Sequence, residues 1–136
     1  MNYFETGKKY YRELIVTEDI MSGFKNISGD NNPLHVDENY AKSRGFEGKV
    51  AYGNILGAMV SALVGMSLGT EEVMLVSQSL NFRKPVFIGD KINLCATVSN
   101  ISEAAGIIEL SMNFTVTRKN GKNEKAASGK CQVKCL

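Results

Sequence analysis

The cleanest alternation of apolar and polar residues runs from Ile107 to Arg118. Ile108, Leu110, Met112, Phe114 and Val116 fall on one face, and Glu109, Ser111, Asn113, Thr115 and Thr117 on the other. A period of two predicts a strand with one buried face. Val73 to Phe82, Lys91 to Ile101 and Glu124 to Val133 read as strands beside it, the last with Ala127, Gly129, Cys131 and Val133 on one face. Gly89-Asp90 and Asn120-Gly121 supply turns between them, and Asn-Gly is a strong hairpin signal. Lys8 to Val16 predicts one more strand near the start.

Between the first strand and the rest, the apolar spacing becomes helical. Thr17 suits an N-cap, Glu18 and Asp19 fill the first turn, and Ile20, Met21, Phe24 and Ile27 follow. That helix is expected to end near Ser28-Gly29. Asn31, Asn32 and Pro33 exclude regular structure next, because Pro33 biases Asn32 away from the helical region. Asp37 caps a short helix through Ser43, with Gly45 past its end. After a loop over Phe46 to Ala51 comes the longest helix, Gly53 to Leu68. Ile55, Leu56, Met59, Val60, Leu63, Val64 and Leu68 form a wide apolar surface, and Gly57, Ala58, Ser61, Ala62 and Gly65 keep the other faces thin. With so little charge, this helix is expected to be buried nearly all round.

The apolar face of an antiparallel sheet needs a cover, and Gly53–Leu68 is the apolar helix available for it. The expected class is α+β: a sheet wrapped around one central helix, the hotdog arrangement. No helices lie between the last four strands, so a parallel α/β sheet is disfavoured. A chain of 136 residues fits one domain, 1–136, with a core of its own.

Composition narrows the function. The apolar and charged fractions, 43% and 22%, are ordinary for a globular protein. A formal charge of +2, scattered basic residues and the lack of tryptophan argue against nucleic acid. The first residues lack the apolar core of a secretory leader. Ile55 to Leu68 falls short of the roughly 20 residues a membrane helix needs. A soluble, cytoplasmic protein with no membrane span is expected. Cys131 and Cys135, four residues apart on a strand, would stand roughly 13 Å apart, beyond the about 7 Å a disulfide tolerates. They read as small buried hydrophobes in a reducing compartment. One histidine and no Cys-x-x-Cys argue against a zinc site. No motif implies a metal or cofactor.

The chemistry concentrates in two places. Ser28-Gly29-Asp30-Asn31-Asn32-Pro33-Leu34-His35 holds an aspartate and the sole histidine, and Tyr52-Gly53-Asn54 opens the apolar helix. Singly, each has a bland reading: these are ordinary turn residues, a lone histidine is usually structural, and glycines are common near helix starts. Together they suit one task. A carboxylate and an imidazole within reach of one water can divide its proton transfers. A helix N-terminus with glycine offers a free N–H and partial positive charge to a carbonyl oxygen gaining negative charge. The matching reaction is reversible addition of water across a double bond conjugated to a carbonyl.

Ser28 through Asp37 resembles the hydratase motif of the (R)-specific enoyl-CoA hydratases, the MaoC-like dehydratase branch of the hotdog superfamily. The resemblance continues through Phe46-Glu47-Gly48-Lys49-Val50-Ala51-Tyr52-Gly53. It resumes at Ser79-Leu80-Asn81-Phe82-Arg83-Lys84-Pro85-Val86-Phe87-Ile88-Gly89-Asp90. It implies that Asp30 and His35 activate water and that the Gly53 N–H holds the thioester carbonyl. It further implies that Asn32 holds the turn in shape and that Ser61 is auxiliary. The implied product of a trans-2-enoyl thioester is the (R)-3-hydroxyacyl thioester, carried by coenzyme A or acyl carrier protein. A homodimer or higher homo-oligomer is implied as well. The family usually carries His-Gly-Met where this chain has Tyr52-Gly53-Asn54, so Tyr52 and Asn54 bear on the acyl group. Two alternatives stay open. A hotdog thioesterase needs a carboxylate on or facing the central helix, and Gly53–Leu68 carries none. A non-catalytic acyl-binding subunit has no need of an intact Asp30/His35 pair.

Overall fold

A computed structural model describes residues 3–136. The elements are β1 (Lys9–Ile15), α1 (Glu18–Ser28), α2 (Pro33–Val36), α3 (Glu38–Ser43), α4 (Ile55–Met66), β2 (Val73–Phe82), β3 (Lys91–Ser102), β4 (Ile107–Thr117) and β5 (Asn123–Cys135). The strands form one antiparallel sheet in the order β1-β3-β4-β5-β2. β1 and β2 are therefore its edges.

The alternation in the sequence puts Ile92, Leu94, Ala96 and Val98 of β3 on the inner face beside Ile108, Leu110, Met112, Phe114 and Val116 of β4. Ile55, Leu56, Met59, Val60, Leu63 and Val64 of α4 close the core against them. The sheet thus curls around α4, the hotdog architecture. Burial of this set is the main favourable term in folding. The β4–β5 register slips between Phe114 and Thr115, so Ala126 and Ala127 are both buried, the behaviour of a bulge. At Gly129 the chains run so close that a Cβ would collide with the Ser79 backbone carbonyl; only glycine fits there. Cys95, Cys131 and Cys135 are free thiols. Burial, and then the charge of Glu109, push the Cys131 thiol up to about 11.

Three expectations need correction. Regular structure was excluded around Pro33, yet Pro33–Val36 makes one helical turn. Asn32 caps it by accepting the Leu34 N–H at 2.9 Å. Proline at the first helical position loses no hydrogen bond, because that N–H has no intrahelical partner anyway. The central helix begins at Ile55, not Gly53, and ends at Met66. Tyr52 to Asn54 form a turn ahead of it, in which Ile55 N–H donates to the Tyr52 carbonyl. Finally, α4 is not buried all round. Ala58, Ser61, Gly65 and Met66 are exposed, Met66 by 77%. One sheet covers one side of a helix, and the side built of small residues is left open.

A buried ion cluster fixes the Pro85–Asp90 segment against the sheet. Asp90 accepts the Phe87 N–H at 2.9 Å and pairs with Arg118 Nη1 at 2.6 Å. Arg118 also donates to the Pro85 carbonyl and to Glu124, each at 2.9 Å. Burial alone would lower the Arg118 pKa. Its hydrogen bonds to Asp90 and Glu124 outweigh that and raise it. From the anchored segment, Val86 accepts the Ala51 N–H at 2.7 Å and Phe87 bridges Val50. The sheet thereby positions Val50 to Tyr52, the approach to α4. No helix among the described residues is long and apolar enough to cross a membrane.

Candidate active site

Gly29, in the left-handed conformation at φ 72°, ends α1 by donating to the Lys25 carbonyl. The turn that follows is held by its own side chains. Asp30 N–H donates to Ser28 Oγ at 3.1 Å, and Asp30 Oδ1 accepts the Asn32 N–H at 2.9 Å. Aspartate and asparagine favour such local bonds. One carboxylate oxygen is thus occupied, and Oδ2 faces His35 Nε2 at 4.0 Å.

The histidine ring is oriented from behind. Its Nδ1 lies 2.6 Å from the Val50 carbonyl oxygen. A carbonyl only accepts, so Nδ1 carries a proton, and in the neutral ring Nε2 presents its lone pair toward Asp30. A separation of 4.0 Å is too long for a direct hydrogen bond. One oxygen placed beside both atoms can reach both. The Asp30 side chain is 43% exposed and that of His35 17%, so the pair is open to a reactant on one side.

Tyr52 joins the two halves of the site. It is 3% exposed, its ring stacks on His35 at 4.2 Å between centroids, and its hydroxyl donates to the Asp30 carbonyl at 2.7 Å. Phe24 supports the ring at 4.8 Å. Burial, and secondarily the Asp30 charge, raise the phenol pKa above its usual value. Tyr52 is therefore a neutral donor.

A cavity of about 310 Å³ opens against this cluster. His35, Tyr52 and Gly53 form its polar end; Ile55, Leu56, Phe82, Val86 and Ile92 form apolar walls. Among the described residues no acceptor takes the Gly53 N–H. A Cβ at Gly53 would lie 3.2–3.4 Å from three atoms of the Phe82 ring, so glycine is what lets that wall close.

Asp30, Asn32, His35 and Tyr52 come together through these contacts; His35, Tyr52 and Gly53 line the cavity, whereas Asp30 and Asn32 do not and meet it through His35 and Tyr52. Asn54 and Ser61 do not line the cavity; both are exposed. Asn54 makes no side-chain cap bond to α4. The sequence reading missed Phe82, Arg83 and Lys84 as cavity residues. Their only signal was the run Asn81-Phe82-Arg83-Lys84-Pro85, noted as a motif without a role. A larger depression of about 800 Å³ lies around Lys49, Arg118 and Lys122, but those cations are paired with Glu18, Asp90 and Glu124. Among the described residues no group of three His, Cys, Asp or Glu side chains could hold a metal ion.

The family model for the MaoC like domain matches residues 3–120. The (R)-specific enoyl-CoA hydratase of Rhodospirillum rubrum is 30% identical over 122 residues, covering 88% of this chain and 85% of that protein. The 3-hydroxybutyryl-CoA dehydratase of Methylorubrum extorquens is 34% identical over 102 residues, covering 73% and 65%. Among solved structures, the (R)-hydratase from Aeromonas caviae involved in PHA biosynthesis superposes with a TM-score of 0.88 at 28% identity, covering 98% of both chains. The matched stretch contains the Asp30–His35 turn, the Gly53 N–H and the central helix together, and on that ground the chain belongs to the MaoC-like family.

Proposed function

We propose that this chain is a hydro-lyase that reversibly adds water to a 2-enoyl thioester, giving the (R)-3-hydroxyacyl thioester, with coenzyme A or acyl carrier protein as the acyl carrier. The observation that carries the reading is the 4.0 Å opening between Asp30 Oδ2 and His35 Nε2, beside a cavity that also holds the unclaimed Gly53 N–H. The names borne by the relatives, enoyl-CoA hydratase and 3-hydroxybutyryl-CoA dehydratase, support it.

Asp30 and His35 hold one water between them. One takes the water's proton as the oxygen bonds to C3 and passes that same proton on to C2; the other accepts a hydrogen bond from the water's remaining O–H and holds it in place. The water's atoms are thus divided between the two carbons with nothing left over. Negative charge builds on the thioester oxygen meanwhile, and the Gly53 N–H, near the positive end of α4, donates a hydrogen bond that stabilises it. Asn32 and Tyr52 keep the turn and ring in register. Asn54, in the turn ahead of α4, and Ser61, on its exposed side, stand outside the cavity.

That face and the open β2 edge, where Met74, Val76 and Phe82 are exposed, support a homodimer. Unpaired edges are normally covered. Three free cysteines support a cytoplasmic location. The thioesterase reading is weaker because α4 carries no carboxylate. Crotonyl-CoA decides between them: loss of the enoyl absorbance without release of free thiol is expected, and thiol release without hydration overturns the proposal.

A further inference from the structure

The geometry points to a phosphate-recognition site at the mouth of the same cavity, formed by Arg83 and Lys84 and serving the phosphate of the thioester's pantetheine arm. This rests on the thioester reading and names how the carrier is gripped. Both residues line the cavity with His35 and Gly53, and both are exposed. With the acyl carbonyl at Gly53 and the walls apolar, the rest of the substrate leaves through the open side, where these two cations stand.

Their place is fixed by the backbone. Arg83 and Lys84 N–H groups both donate to the Ala126 carbonyl, at 2.8 and 3.2 Å, and Pro85 follows with its φ locked. Their charges are free. Among the described residues neither has a carboxylate within ion-pair distance, whereas Lys49, Arg118 and Lys122 of the larger depression are paired and, among the cations lining it, only Lys119 is free. An arginine fork beside a lysine point charge suits a phosphate oxyanion. Coenzyme A and acyl carrier protein both carry a phosphate at the end of the pantetheine arm remote from sulfur, so the chemistry is common to the two sources.

The test compares crotonyl-CoA, crotonyl-acyl carrier protein and the phosphate-free crotonyl-pantetheine on the full chain. In the double variant Arg83→Gln/Lys84→Gln, the preference in kcat/KM for the phosphate-bearing thioester over crotonyl-pantetheine is expected to fall about tenfold, carried by KM. Arg83→Lys/Lys84→Arg should keep most of the preference, and added salt should erode it in the wild type. The carrier whose preference falls further identifies the phosphate source. An unchanged preference on both carriers overturns the site. Calorimetric binding of free coenzyme A, weakened about tenfold in the Gln variant, gives a readout that needs no turnover. A wild type that hydrates no thioester sinks the hydratase reading, while the calorimetry still decides the phosphate site.

Discussion

Asp90 and Asp30 each stand opposite a basic side chain, at 2.6 Å from Arg118 Nη1 and 4.0 Å from His35 Nε2. Asp90 is 2% exposed and held: its Oδ2 accepts from the Phe87 N–H and from Arg118, and Arg118 also donates to Pro85 and Glu124. Asp30 is half open, with Oδ2 facing His35 Nε2 across a gap. The first arrangement holds a segment against the sheet. The second is held by its surroundings instead, through Asn32, Val50 and Tyr52. An ion pair satisfied internally has nothing left for a reactant; a pair positioned from behind keeps its reactive atoms free.

The largest expected effect separates the two pairs by activity. Asp30→Asn and His35→Ala should each lower kcat by about 10²–10⁴-fold, the scale of a general acid–base group. Thermal stability should barely move for Asp30→Asn, because an amide oxygen can still accept the Asn32 N–H. Wild-type turnover in either folded variant would show that the open pair is not the site.

Arg118→Ala should do the opposite. It strands the buried Asp90 carboxylate, a change that costs about 3–5 kcal/mol, read by urea unfolding. Catalysis per folded molecule should fall less than in Asp30→Asn or His35→Ala, because Arg118 does not line the catalytic cavity and reaches it only through the Pro85–Val86 segment that positions Val50 to Tyr52. A loss under about 1 kcal/mol would mean that the closed cluster does not anchor Pro85–Asp90.

Gly53→Ala tests the wall between the open pair and its substrate. The new Cβ presses on the Phe82 ring, so kcat/KM is expected to fall about tenfold through displaced groups. Adding Phe82→Leu should return part of it, a coupling that a double-mutant cycle measures. Independent, additive effects would detach Phe82 from the site.

The sheet was legible because its evidence is periodic. Ile108 to Val116 alternate without interruption, and the structure buries all five. The proline turn misled because one residue carries two meanings. Pro33 forbids a helix through it and favours one starting at it, and only the Asn32 cap decides. The exposed side of α4 was misread because small apolar residues look the same whether they face a core or stand unpartnered. Asp30, His35 and Gly53 could be singled out by residue type and order. Tyr52 beneath both members of the pair could not, because its contacts join Asp30 to the far end of the following loop. The same is true of Arg83 and Lys84, which reach the cavity only once β2 is paired with β5.

Tyr52 offers the smallest and most specific test, since it touches the open pair without belonging to it. Tyr52→Phe keeps the stacked ring and removes the hydrogen bond to the Asp30 carbonyl. At neutral pH the expected cost is about 1 kcal/mol, with kcat reduced a few-fold as the turn loosens. The pH dependence is sharper. Burial first, and the Asp30 charge second, raise the Tyr52 pKa above its unfolded value, which is about 10. The folded state therefore keeps the phenol proton longer than the unfolded state does. The contribution is complete below that unfolded value and is lost as the pH climbs through the raised one. Tyr52→Phe should flatten the alkaline limb of the stability curve. Asp30→Asn should lower the Tyr52 titration, followed by phenolate absorbance, yet leave it above the usual value because burial remains. A titration unmoved by Asp30→Asn would show that the open carboxylate's charge does not reach the ring beneath it, and the contrast with the tightly coupled Asp90 would then extend to the whole turn.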